Sequence, residues 1–259
     1  MVFSYQTFLE YLGLYFWTFV RLGAMMAMVP LFSMAAVPTR VRLILAVFIT
    51  VAVAPQLSLP PPIDPFTGAG LVVMLQQIGI GLAMGLVFLI IFQAFVLGGY
   101  FVSMGMGLAF ATMADPVNGT STPVVSQIFT ILVTLLFLAL NGHLLVIQVL
   151  VDSFSYLPVG FDMLSRESIW QLIKFGAYIF SAGVLMALPV VTSLLLVNFA
   201  FGIMSRAAPA MNIFAVGFPI TLLTGLVLLS FIAPFLLEHL RTLIHHGVEL
   251  IQSFQLSKS

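Results

Sequence analysis

From Leu71 to Phe101 the chain reads LVVMLQQIGIGLAMGLVFLIIFQAFVLGGYF, without one charged side chain. As a helix it would reach roughly 45 Å, at 1.5 Å per residue, against a bilayer hydrocarbon core of about 30 Å. Such a helix must tilt, bend, or run beyond the bilayer into other protein. Only 6% of the 259 residues are charged, where soluble domains carry about a quarter. A chain so poor in charge cannot clothe its surface for water, so the expected class is an all-α integral membrane protein. Formal net charge is zero with no basic block, so nucleic acid is not an expected partner. The absence of cysteine rules out disulfides, thiolate metal sites and thiol nucleophiles. The start, MVFSYQTFLEYLG, has no basic n-region and carries Glu10. The first apolar run is therefore expected to stay in the mature protein.

Six apolar runs organise the chain: about Phe8–Met34, Leu43–Leu57, Leu71–Phe101, Val124–Val151, Ile169–Phe201 and Met211–Leu237. The proline-rich SLPPPIDPFTG separates the second from the third and cannot continue a helix. Pro189 interrupts the fifth run, and Pro219 and Pro234 the sixth. A last segment, LLEHLRTLIHHGVELIQSF, places Leu237, Leu240, Ile244, Val248 and Ile251 at helical spacing. That pattern is an amphipathic helix for a membrane surface or a partner. Loop charges give no orientation: Arg40, Arg42 and Arg206 fall on one side, Arg166, Lys174, Arg241 and Lys258 on the other. Missing charge bias, an overlong third run and mid-helix prolines agree with helices that other subunits sheathe.

Catalytic patterns are absent from the sequence. There is no H-E-x-x-H, no G-x-S-x-G, no phosphate-cradling glycine loop, and no pair of carboxylates at catalytic spacing. His239, His245 and His246 read as the wet face of the last helix; two helical turns separate His239 from His246, too far to share a metal without a bend. No enzyme and no cofactor is expected. Two ionisable residues lie at membrane depth. Arg21, in the first run, costs about 2.5–3.5 kcal/mol at a helix centre. It needs acceptors from elsewhere in the fold, or it snorkels to an interface; both readings stay open. His143, in NGHL, is a proton-relay candidate or a neutral ring satisfied by a carbonyl. Gly79, Gly81, Gly85, Gly98, Gly99 and Gly105 are spaced for close helix packing.

Met104–Gln127, MGMGLAFATMADPVNGTSTPVVSQ, lies between two apolar runs. On residue chemistry it is either an exposed turn or a device inside a passage. A transporter with broken helices and a midplane site is the alternative for the whole chain, but it needs symmetric interrupted segments that are missing here.

Four stretches, in order, resemble the FliR family, the R subunits of the flagellar type III secretion export gate. They are RLGAMMAMVPLFSMAAVPTRVRLILAV (Arg21–Val47), MGLAFATMADP (Met106–Pro116), LFLALNGHLLVIQVLVDSF followed by LPVG, and SRAAPAMNIFAVGFPI (Ser205–Ile220). The resemblance implies long, bent helices, a P-subunit-like part over 1–170 and a Q-subunit-like hairpin over 171–259. It implies P- and Q-type partners, a B-type switch protein, an A-type export protein, unfolded export substrates and membrane lipid. It places the chain in the flagellar basal body of the bacterial inner membrane. It also implies that the loop over 104–124 plugs the closed pore. Met104, Gly105, Met106, Gly107, Leu108, Ala109, Phe110, Ala111, Thr112, Met113, Asp115 and Pro116 would form that plug. The chemistry suits the role: glycines permit a non-helical path, methionines seal irregular gaps, and Asp115-Pro116 fixes a turn. Arg206, Pro209 and Asn212 would shape the hairpin tip, with Asn212 a cap for the helix that follows.

Overall fold

The computed structural model describes residues 5–34, 37–108, 123–207 and 213–257. Nine α-helices lie among them: α1 (Tyr5–Met28), α2 (Pro30–Ser33), α3 (Thr39–Val53), α4 (Gly68–Gly105), α5 (Val124–Ala139), α6 (Gly142–Tyr156), α7 (Arg166–Phe175), α8 (Tyr178–Ala207) and α9 (Ile213–Gln252). A 3-10 turn over Ala54–Gln56 closes α3. No strand is present among the described residues; the only β-type pairing there is an isolated bridge between Leu164 and Leu256. Among the described residues three stretches are long and apolar enough to cross a membrane, Thr39–Gln56, Gly68–Gly105 and Arg166–Ala207, and two bent helix pairs, Val124–Ala139 with Gly142–Tyr156 and Val216–Ile232 with Pro234–Gln252, are so when each is taken together.

Most boundaries fall within a few residues of the apolar runs, and the departures have local causes. The run over 124–151 is not one helix. Asn141 takes a left-handed φ of 56°, a conformation asparagine tolerates better than most residues, and it ends α5 and starts α6. The run over 169–201 begins earlier, at Arg166, because the Ser165 side chain accepts the Ser168 N–H and caps α7. Gly176 then separates α7 from α8. The last amphipathic segment runs on from α9, which spans 40 residues with Pro219 and Pro234 inside it, and a bend of 55° sets Pro234–Gln252 off from Val216–Ile232. Its buried stripe also shifts. Leu240, Leu243 and Ile251 are buried, while Leu237, Ile244 and Val248 are half-buried.

The chain forms two compact units. The first gathers residues 1–90, 140–176 and 244–259. In it, α1 packs against α3 and α2. Leu9, Leu14, Trp17, Leu22, Met25 and Met26 of α1 are buried at helical spacing. The α1–α4 contact is close because Gly81 and Gly85 carry no side chain. A Cβ on Gly81 would collide with the Arg21 carbonyl, and one on Gly85 would lie 2.6 Å from the Met25 carbonyl. The tail is tied down in the same unit. Ser165 donates its N–H to the Gln255 carbonyl at 2.8 Å, and Ser257 donates to the Met163 carbonyl at 2.8 Å.

The second unit holds residues 91–139 and 177–243. Here again small residues let backbones approach. A Cβ on Gly99 would lie 2.7 Å from Ser126 Cα, and one on Gly98 3.2 Å from the Gly183 carbonyl. The Ser126 hydroxyl donates to the Val96 carbonyl at 3.0 Å, and the Phe92 and Phe137 rings meet edge to face at 5.3 Å. Of the glycines expected to pack closely, Gly79 is the exception. Its virtual Cβ meets only the flexible end of Met163, at 4.0 Å.

Candidate functional site

The second unit holds the start of the expected plug. Helix α4 ends in a Schellman arrangement: Leu108 N–H donates to the Ser103 carbonyl at 3.0 Å and Gly107 N–H to the Met104 carbonyl at 3.0 Å. Gly107 supplies the left-handed residue this needs, with φ +78°. The glycine expected to permit a non-helical path therefore has a definite role, which is to stop a charge-free helix of 38 residues. Around this stop the neighbours are α8 and α9. A Cβ on Gly105 would lie 3.2 Å from Leu194, and one on Gly107 3.4 Å from the Phe218 ring. Met106 is 1% exposed and sits against the bare backbone of Gly225. Met104 stands exposed on the other side, and Leu108 is half-buried. Ala109, Phe110, Ala111, Thr112, Met113, Asp115 and Pro116 lie outside the described residues, as do Pro209 and Asn212. Arg206 is an exposed residue in the last turn of α8.

The first unit holds the two ionisable residues singled out at membrane depth. Arg21 is fully buried, so it does not snorkel. Its Nε donates to Gln77 Oε1 at 2.8 Å, one terminal nitrogen to the Ser153 hydroxyl at 3.0 Å, and the other to the Leu157 carbonyl at 2.8 Å. Its guanidinium also stacks 3.9 Å from the Phe154 ring centroid, a favourable cation–π placement. The network continues outward. Gln77 donates to Gln76 Oε1 at 2.6 Å, and Gln76 donates to the Asp162 carbonyl at 2.6 Å and accepts from the Gly160 N–H at 3.0 Å. The acceptors come from α4, α6 and the LPVG turn, and Glu10 takes no part. Sequence reading missed Gln76, Gln77 and Ser153. The available signal was two adjacent amides in an otherwise apolar run, an arrangement that costs free energy unless both are paired.

His143, beside the break at Asn141, is half-buried. Its Nδ1 is buried and meets no hydrogen-bond partner among the described residues, so the carbonyl expected to satisfy it is not at that nitrogen. His239 Nδ1 lies 2.9 Å from the Phe235 carbonyl of its own helix. His245 lies 3.1 Å from the exposed Glu249 carboxylate. Among the described residues no three His, Asp or Glu side chains converge to hold a metal ion.

A left-handed glycine ending a charge-free α4 beside α8 and α9, and a charged knot around Arg21 and LPVG, both occupy stretches that carry the family resemblance. The match to the family itself is direct: residues 12–247 fit the bacterial export proteins, family 1. This chain belongs to that family. Among similar proteins is the flagellar biosynthetic protein FliR of Escherichia coli (strain K12), 42% identical over 240 residues that cover 91% of each chain. The FliR of Pectobacterium carotovorum is 39% identical, covering 93% of each, and that of Bacillus subtilis 29% identical, covering 82% of each. As a member of the FliR group of bacterial export proteins, the chain is a component of the flagellar export apparatus and not an enzyme. It works with other export components, and its apolar helices suit a membrane location.

Proposed function

We propose that this chain is the R-type core subunit of the flagellar type III export gate in the bacterial inner membrane, and that the segment after α4 plugs the closed passage. The observation that carries the reading is the root of that segment. A charge-free helix ends with Gly105 against Leu194 of α8 and Gly107 against Phe218 of α9, and the chain then continues as Leu-Ala-Phe-Ala-Thr-Met. Small and flexible side chains can seal and then yield.

Uncovered apolar faces support the partners. Leu43, Ile44, Phe48 and Val51 of α3 are exposed, as are Leu185, Leu188, Leu195 and Phe199 of α8. P- and Q-type subunits and lipid would cover these faces. A B-type switch protein and an A-type export protein complete the set, and unfolded flagellar proteins are the cargo. Residues 1–170 form the P-like part and 171–259 the Q-like hairpin. In support of the hairpin, Met186, Pro189 and Val190 of α8 and Ile232 and Leu236 of α9 line one apolar cavity.

The test is deletion of residues 109–114, which leaves the Gly107–Leu108 cap of α4 intact. The expected result is an assembled gate that leaks small ions, read as conductance or dye influx across the membrane. A gate that assembles and stays tight refutes the plug.

A further inference from the structure

We infer that Met106 and Gly225 form a latch that holds the start of the plug segment on α9, and that Met106 must leave this notch for the gate to open. The inference rests on the plug reading and names the contact that sets the closed position. A Cβ added to Gly225 would lie 2.5, 2.7 and 2.8 Å from Cγ, Cε and Sδ of Met106. Three atoms of one side chain thus fill the space that any other residue at 225 would occupy. Gly225 is buried in the interior of a 40-residue helix, where glycine weakens the helix relative to alanine. Its presence there is explained by the room it leaves for Met106.

The contact suits a latch better than a permanent joint. Methionine is unbranched and adaptable, so it can withdraw without forcing a backbone rearrangement. The neighbouring contacts on α4 come from two helices: Leu194 of α8 beneath Gly105 and the Phe218 ring of α9 beside Gly107. Met106 is buried one residue before the left-handed Gly107 that ends α4, so the contact with Gly225 fixes the point from which the segment departs.

The chain contains no cysteine, which makes the pair Met106→Cys with Gly225→Cys a clean probe. A sulfur in place of Met106 Cγ would lie 2.5 Å from a Cβ on Gly225, against about 3 Å across a disulfide, so the two side chains can bond after a shift of about half an ångström. The bond is formed by an added oxidant only after the complete gate has assembled, so folding does not confound the result. The expected outcome is disulfide formation with export of flagellar substrate reduced at least about tenfold, restored by reductant. A quantitative disulfide with undiminished export overturns the latch, and so does failure of the pair to bond under oxidant. In the reduced, otherwise native gate, Gly225→Ala should raise small-ion leak severalfold at unchanged assembly yield. Met106→Ala should do the same, and the double variant should leak no more than either alone. A tight Gly225→Ala gate overturns the inference. The two readings separate cleanly: a tight gate after deletion of residues 109–114 refutes the plug, whereas a leaking deletion beside a freely exporting, bonded cysteine pair refutes the latch alone.

Discussion

Arg21 shows what a buried charge needs in an apolar setting. Three directed hydrogen bonds and one aromatic face replace its water, and all of its hydrogen-bond acceptors are neutral. The planar fork of arginine can point at three acceptors in three directions; the ammonium of lysine is a single point. Arg21→Ala would take the donor from Gln77 Oε1 and the Leu157 carbonyl, while the Ser153 hydroxyl keeps its bond to the Leu150 carbonyl at 2.6 Å, and lost partners of this kind cost about 1–3 kcal/mol each. The expected result is a loss of at least about 2 kcal/mol in the stability of the first unit. Arg21→Lys should lose less than Arg21→Ala and still fall short of the parent. Thermal unfolding of the purified gate checks this, and equal melting of Arg21→Lys and the parent would contradict it. The arginine was visible in the sequence as a problem. Its solution lay 56, 132 and 136 residues away, at separations that local pattern does not encode.

Helix α4 illustrates the same limit for a whole element. Its helical period, its apolar character and its glycines were plain, and it spans 38 residues, or about 57 Å. Yet its glycines are not equivalent. Gly99 lies against the Ser126 backbone, whereas Gly79 faces only the tip of Met163. Gly99→Val should push α4 and α5 apart and destabilise the second unit by about 1–3 kcal/mol, the usual cost of overpacking. Gly79→Ala should be neutral or stabilising by up to about 1 kcal/mol, because alanine is the better helix former. Paired melting curves of the two variants decide the point, and equal effects would refute the assignment of close contacts. The break between α5 and α6 belongs here too. Leu-Asn-Gly-His lies in a run apolar enough to continue, and it is the left-handed Asn141 that ends α5.

For the whole molecule, the outward-facing surface is its most informative property. Phe48, Phe66, Phe180, Leu196, Phe199 and Phe231 are each at least 65% exposed. Apolar patches of this extent mark sites that other proteins or lipid cover. Arg206 ends α8 at the tip of the proposed hairpin. Arg206→Ala should lower the yield of chain that co-purifies with P- and Q-type subunits severalfold, while gates that do assemble stay tight. Normal yield with raised ion leak would show that Arg206 acts on the passage and not on assembly.

Composition and periodicity alone pointed to an all-helical chain with apolar runs long enough to cross a membrane, because charge scarcity and apolar run length are sums over residues that folding does not change. Motif order alone pointed to the export family. Three things depended on the tertiary structure. Gln76, Gln77 and Ser153 proved to be the partners of Arg21. Gly225 proved to be the seat of Met106. The end of α9 buried only Leu240 and Ile251 of the five residues its spacing picked out, and Leu243 beside them. Each is a contact between side chains or backbones far apart in the chain, and such a contact is chosen by packing in three dimensions, where one helix's missing Cβ or unpaired donor is answered by another's atom.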